Sequence, residues 1–287
     1  MRQVNIEMSG TVVLVVLFAA LMHASWNAVV KSEGDKFLNT VVVVTSAGLI
    51  AAVCLPFLPA PARESWPFLA ASGVAQVIYL ALVAAAYRSG DMSQAYPIMR
   101  GTAPLIVAIA SGPLIGEVLS LQKWAGIALI CSGVLALALE SRRRAGANRA
   151  ATMFALINAL VIASYTLIDG LGVRHSGAPA AYTMWVFVLN AIPLLLWTLV
   201  MRRGELWPHF VKRTRLATIG GVGTLGSYGL ALWAMTMAPV AAVAALRETS
   251  ILFAVAISAF ILKESVGPKR LAAVALIAAG AAVMRLA

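Results

Sequence analysis

The sequence predicts an all-α integral membrane protein, with ten transmembrane helices arranged as two inverted five-helix repeats around a central cavity. Three observations predict it. Apolar residues make up 61% of the 287 and charged residues only 11%, where a soluble domain carries about a quarter charged. The apolar residues fall into about ten stretches of roughly 20 residues, each long enough to cross a bilayer as a helix. Much of the second half repeats the first at an offset of 147 residues, so that Arg100 meets Arg247. Helices follow because backbone polar groups cannot stay unpaired in lipid. A barrel needs alternating polarity, and these runs are apolar all round.

Helix 1 is expected over residues 10–30, too long an apolar run for a cleaved leader, and ends in the charged turn 31–36. Helix 2 covers 38–58, closed by Pro59 and Pro61. Helix 3 covers 66–87, ended by Arg88-Ser-Gly-Asp91. Helix 4 covers 93–115 and holds Pro97, Arg100 and Pro104. Each proline removes a backbone donor and loosens the preceding turn; the freed carbonyls serve either a ligand or a simple kink. Helix 5 covers 124–139. Residues 141–150, rich in arginine, are read as a basic linker between a first repeat at 1–140 and a second at 151–287.

In the second half helix 6 covers 151–173 and helix 7 covers 180–201. The basic stretch 202–215, with Trp207 and Phe210, reads as a loop lying at the headgroup level. Helix 8 covers 216–237 and carries Gly220, Gly221, Gly223, Gly226 and Gly229, which permit close helix contact. Helix 9 covers 240–262 and helix 10 covers 271–286.

At the common offset Thr102 meets Thr249, Ser111 meets Ser258, Glu117 meets Glu264, Lys123 meets Arg270 and Gly133 meets Gly280. Such agreement among polar residues in one ungapped register marks an internal repeat. With small shifts of register, Tyr79 falls on Tyr228 and Ser25-Trp26 falls on Ser164-Tyr165. A unit of five spans ends on the opposite side of the membrane from its start, so its copy enters inverted. Inverted repeats place a binding site near the midplane and permit alternating access.

The net charge of +11 reads as topology signals and lipid headgroup contacts, not nucleic acid. Outside Arg100 and Arg247, five basic residues lie on the side of the termini and fifteen on the other. The positive-inside rule therefore puts both termini outside the cytoplasm. Cys54 and Cys131 lie in apolar runs and form neither a disulfide framework nor a metal motif. No phosphate loop, metal-ligand cluster or catalytic triad is present, so no metal, cofactor or enzymatic activity is expected.

A cation in lipid costs roughly 2.5–3.5 kcal/mol on insertion scales, so Arg100 and Arg247 should face the interior. They either hold an anionic group of a substrate, which guanidinium binds bidentately, or pair structurally. Arg247 has Glu248 and Asp169 as candidate partners, and those two acids either carry a coupling proton or serve as ion-pair partners. His23 shares a helix face with Trp26 and with Asn27, a stacking ring beside polar groups suited to a metabolite pocket or to interhelical hydrogen bonding. Tyr79, Tyr96, Tyr165 and Tyr228 are read as interior. Tyr182, near a helix end, is read as a headgroup anchor. Trp66, Trp124, Trp197 and Trp207 form an interfacial belt, and Glu117 and Glu264 cap the helices that follow them.

Three segments carry a resemblance: His23-Ala-Ser-Trp26-Asn27, then Tyr96-Pro97-Ile-Met-Arg100-Gly101-Thr-Ala-Pro104, then the repeat endings Leu114-Ile-Gly-Glu117 and Ile261-Leu-Lys-Glu264 with Gly126, Gly133 and Gly280. Together they resemble the drug/metabolite transporter superfamily, in its ten-helix EamA-type branch, over essentially the whole chain. The resemblance implies a secondary transporter of small metabolites in a cell membrane, such as a bacterial inner membrane, often an exporter of amino acids or related compounds. Two departures stand out. Many relatives have their termini inside, and the second repeat lacks the helix 4 prolines, with Ala244 and Ile251 in their places.

The expected cargo is a small anionic or zwitterionic metabolite, with protons or the cargo's own gradient as the driving force. A monomer is sufficient and a dimer is compatible. The alternatives are a flippase for a lipid-linked intermediate, whose cavity opens sideways to the bilayer, and a membrane scaffold, whose arginines are sealed in salt bridges.

Overall fold

The fold is seen in a computed structural model, which describes residues 8–30, 35–89, 92–145, 148–260, 263 and 266–286. Among them are helices and no strand. In chain order these are α1 (Gly10–Val30), α2 (Lys36–Cys54), α3 (Trp66–Ser89), α4 (Met92–Ile115), α5 (Leu121–Ala145) and α6 (Arg149–Ser176). Then come α7 (Pro179–Met201), α8 (Arg203–Lys212), α9 (Thr214–Met235), α10 (Val240–Arg247), α11 (Ser250–Phe260) and α12 (Pro268–Arg285). Glu264 lies outside the described residues.

Among the described residues eight segments are long and apolar enough to cross a membrane, α10 and α11 together counting as one. Large apolar side chains such as Phe57, Leu121, Val200 and Phe260 stand exposed, as a surface facing acyl chains requires. The chain is a multi-pass membrane protein. The two remaining long helices are less apolar: α9 is diluted by its five glycines, and α12 carries Lys269, Arg270 and Arg285.

The helix ends follow local chemistry. Asp35 accepts hydrogen bonds from the Phe37 and Leu38 amides and so starts α2. Asn148 does the same for α6 through the amides of Ala150 and Ala151, and donates to the Ser89 carbonyl. Gly177, at φ +62°, ends α6 in the left-handed conformation that glycine adopts freely.

Three expectations are corrected. The residues expected to form a single ninth span split into α10 and α11, because around Glu248 and Thr249 the amides bond three residues back instead of four. Such tight turns within a helix mark a local hinge. Its repeat counterpart α4 runs unbroken through Pro97, Pro104 and Pro113, so the helix with prolines is the continuous one. The stretch read as a basic loop folds as α8, with the Trp207 and Phe210 rings stacked at 6.3 Å. The basic stretch after residue 140 is helical as far as Ala145, as the end of α5.

Packing relates the halves. α5 crosses α12 with backbones nearly touching: a Cβ on Gly280 would stand 2.7 Å from the Gly126 carbonyl oxygen, and one on Gly133 would stand 2.7 Å from that of Ala273. Gly133 faces Ala273 and Ile277 while Gly280 faces Gly126 and Ile130. Rising along α5 thus means descending along α12, so the two run antiparallel, and the contact maps onto itself when the repeat positions are exchanged. α3 packs on α6 and α1 on α9. Innermost is α10, whose residues Val240 to Leu246 are all buried in the largest core cluster.

Candidate functional site

α4 and the hinge after α10 bring Arg100 and Glu248 together. Arg100 Nε lies 2.9 Å from Glu248 Oε2, with the side chains 14% and 5% exposed. The contact is Coulombic, since neither atom makes a well-angled hydrogen bond. Glu248 therefore pairs with the arginine of the other half and not with its chain neighbour Arg247.

Arg247 is held differently. From Val240 to Ser250 every residue is buried except Arg247. It forms no salt bridge among the described residues. Its guanidinium lies over the Tyr228 ring, 5.0 Å from the centroid, a cation–π contact. Arg100 thus faces a carboxylate directly, whereas Arg247 is in no salt bridge among the described residues.

Asp169, on α6, is fully buried. The expected ion pair with Arg247 is not formed. Instead the Tyr182 hydroxyl donates to Oδ1 at 3.1 Å and the Tyr228 hydroxyl to Oδ2, with Ser72 as a further donor. Ser72 Oγ accepts from Gln76 Nε2 at 3.2 Å, and Gln76 Oε1 accepts from Asn190 Nδ2. A row of donors running from α7 through α3 thus ends on one carboxylate. Burying a carboxylate is costly unless it is so served.

The other expected residues close around these groups. His23 meets Trp26 edge-on at 5.4 Å, on the side of α1 that faces α9 at Gly223. His23 lies within electrostatic reach of both arginines. Trp26 Nε1 is buried with no hydrogen-bond partner among the described residues. Asn27 spends its amide on its own helix, donating to the His23 carbonyl at 2.8 Å. Tyr79 and Tyr165 meet edge-on at 5.8 Å, and together with Tyr96 they lie within electrostatic reach of Arg100.

Tyr182 is the clearest omission of the sequence reading. It is not a headgroup anchor but is fully buried, and it reaches Asp169 across Gly172, where no side chain intervenes. Ser72, Gln76 and Asn190 were also passed over. Their signal is polarity inside apolar runs, with Ser72 and Gln76 one turn apart.

At one end of the bundle a clasp joins four elements. Glu117, in the turn after α4, caps α10 by accepting from the Val240 amide at 2.7 Å, and so does not cap α5 as expected. It also accepts from Arg174 at 2.7 Å, while Arg174 donates to the carbonyls of Met235 and Ala238.

The EamA-like transporter family model matches residues 10–139 and again 149–286. A curated relative, the uncharacterized protein y4nH of Sinorhizobium fredii (strain NBRC 101917 / NGR234), is 36% identical over 85 residues, covering 28% of this chain and 73% of that protein. A solved crystal structure superimposes with a TM-score of 0.75 at 19% identity, covering 96% of each chain, and so has the same fold.

Proposed function

The chain belongs to the EamA-like transporter family, and we propose that it is a secondary transporter exporting a small anionic or zwitterionic metabolite, such as an amino acid or related compound. It works by alternating access, across a cell membrane such as a bacterial inner membrane. In this reading ten spans form two inverted five-helix repeats, at 1–140 and 151–287, enclosing a central cavity. The two tandem family matches and the antiparallel, self-exchanging contact of α5 with α12 support it. A single chain suffices for the pathway.

The observation that carries the proposal is Arg247: an interior guanidinium in no salt bridge among the described residues, 5.0 Å over the Tyr228 ring. It receives the anionic group of the cargo. His23, Trp26, Tyr79, Tyr96 and Tyr165 line the space for the remainder, and the unpartnered Trp26 N–H supplies a donor. Arg100 and Glu248 hold the halves in register. The scaffold alternative requires both arginines to be sealed in salt bridges. Arg100 meets that requirement and Arg247 does not.

The test is counterflow of candidate carboxylates into proteoliposomes by the wild type, Arg247→Gln and Arg100→Gln/Glu248→Gln. Arg247→Gln should abolish uptake of anionic cargo while the doubly neutralised variant retains it. Equal uptake by wild type and Arg247→Gln would overturn the assignment.

A further inference from the structure

Asp169 and Arg247 are opposite charges joined by one side chain. The Tyr228 hydroxyl donates to Asp169 Oδ2, and its ring face carries the Arg247 guanidinium. The titratable and charged groups facing Asp169 are Tyr165 on its own helix, Tyr182 on α7, Tyr228 on α9 and Arg247 on α10. α3 presents the Ser72 hydroxyl, and α4 presents Arg100, already neutralised by Glu248. Two positive and two negative side chains therefore balance in the interior: Arg100 directly against Glu248, and Arg247 through Tyr228 against Asp169.

An arriving anion upsets the second balance most directly, because Arg247, which also lies within electrostatic reach of Glu248, is its point of contact. Once its negative group occupies Arg247, the region holds one uncompensated negative charge at low dielectric, which is strongly unfavourable. Asp169 can restore neutrality because it has no salt bridge of its own. We infer that Asp169 is a proton-binding site, and that a cargo anion on Arg247 and a proton on Asp169 load together.

The proton comes from water and adds to a carboxylate oxygen; no bond of the cargo breaks. Protonation also ends the need for a donor at Oδ2, so the Tyr228 hydroxyl turns from Asp169 to the cargo. Anion and proton then cross as a neutral pair. Export in this form moves no net charge and is driven by the combined concentration gradients of cargo and proton. This inference rests on the reading of Arg247 as the cargo's anion site.

Infrared titration of the full chain in lipid nanodiscs tests it without cargo, using the proton as the probe. Isotope-labelled aspartate, with Asp169→Asn as control, assigns the carboxylic-acid C=O band of Asp169; labelling alone suffices if that variant does not fold. Arg247→Gln mimics the neutralised arginine. Its Asp169 band should appear at about tenfold lower proton concentration than in wild type, the effect of losing one nearby opposite charge. Tyr228→Phe should shift the titration in the same direction. Coincident titrations of wild type and Arg247→Gln, or no protonated Asp169 at any pH where the protein stays folded, would overturn it. A shifted titration with unimpaired anion transport by Arg247→Gln would overturn the cargo assignment alone, and lost transport with an unshifted titration would overturn the proton site alone.

Discussion

Arg100 reaches from α4 in the first half to Glu248 in the second, Nε to Oε2 at 2.9 Å, and meets it where the chain between α10 and α11 tightens. The pair joins the unbroken member of a repeat-related helix pair to the hinge of the broken one. Removing one partner leaves a buried charge with no counter-ion, which costs about 3–5 kcal/mol. Glu248→Ala and Arg100→Ala should each lower unfolding stability on that scale. Arg100→Gln/Glu248→Gln should recover most of it, because no charge remains to be buried. A double-mutant cycle from denaturant unfolding in detergent measures the difference.

Tyr182 and Gly172 form a second such unit. A Cβ at residue 172 would collide with the Tyr182 hydroxyl and stand 2.7 Å from Phe68 Cβ. Tyr182→Phe leaves one oxygen of Asp169 short of a donor, at about 1.5–3 kcal/mol for a bond to a charged group. Gly172→Ala should cost more, since it displaces the whole ring. The two losses should combine to less than their sum, because phenylalanine lacks the hydroxyl that collides. Thermal unfolding of the two single variants and the double checks this.

At the clasp, Glu117→Ala removes the cap of α10 and the partner of Arg174 together. Arg174 keeps the Met235 and Ala238 carbonyls, so the loss should sit at the lower end of the buried-pair range, about 3 kcal/mol. Hydrogen exchange should rise at the Val240 and Ala241 amides and stay unchanged at Phe37 and Leu38.

The start of α2 should respond to acid. Burial pushes the Asp35 carboxyl up, but the Leu38 amide, the Arg202 guanidinium and the Phe37 amide together outweigh it and hold the group below its ordinary value. A carboxyl depressed in the folded state adds stability that is complete above its unfolded value, about 3.9. That stability is lost as pH falls through the folded value. Asp35→Ala should cost about 1 kcal/mol at neutral pH, and the gap from wild type should close on acidification below about pH 4. Melting curves across that range give the comparison.

Much of this was legible in the sequence, for definite reasons. Span positions follow from apolar length, and the resemblance read from the helix 1 and helix 4 motifs is confirmed by the family match over both halves. The interior placement of Arg100 and Arg247 followed from the cost of charge in lipid. Pairing did not, because it depends on which helices adjoin. Adjacency in sequence favoured Arg247 with Glu248, whereas the turn at the hinge sends Glu248 to Arg100. Tyr182 was misread because a tyrosine near a helix end has the same local signature in a headgroup layer as beneath a glycine gap. The break between α10 and α11 carried no such signal, because it lies in the proline-free counterpart of α4, where hydrogen bonding changes register.

The crossing of α5 and α12 has a mechanical consequence. Where Gly126 meets Gly280, main chain rests on main chain, with no side chain in between to change rotamer or act as a cushion. Such a seam resists sliding and tilting alike, and under the proposed alternating access it would be the stationary spine against which the remaining spans swing. A covalent staple across it should leave turnover intact, whereas one between α1 and α9 should freeze the molecule in mid-stroke.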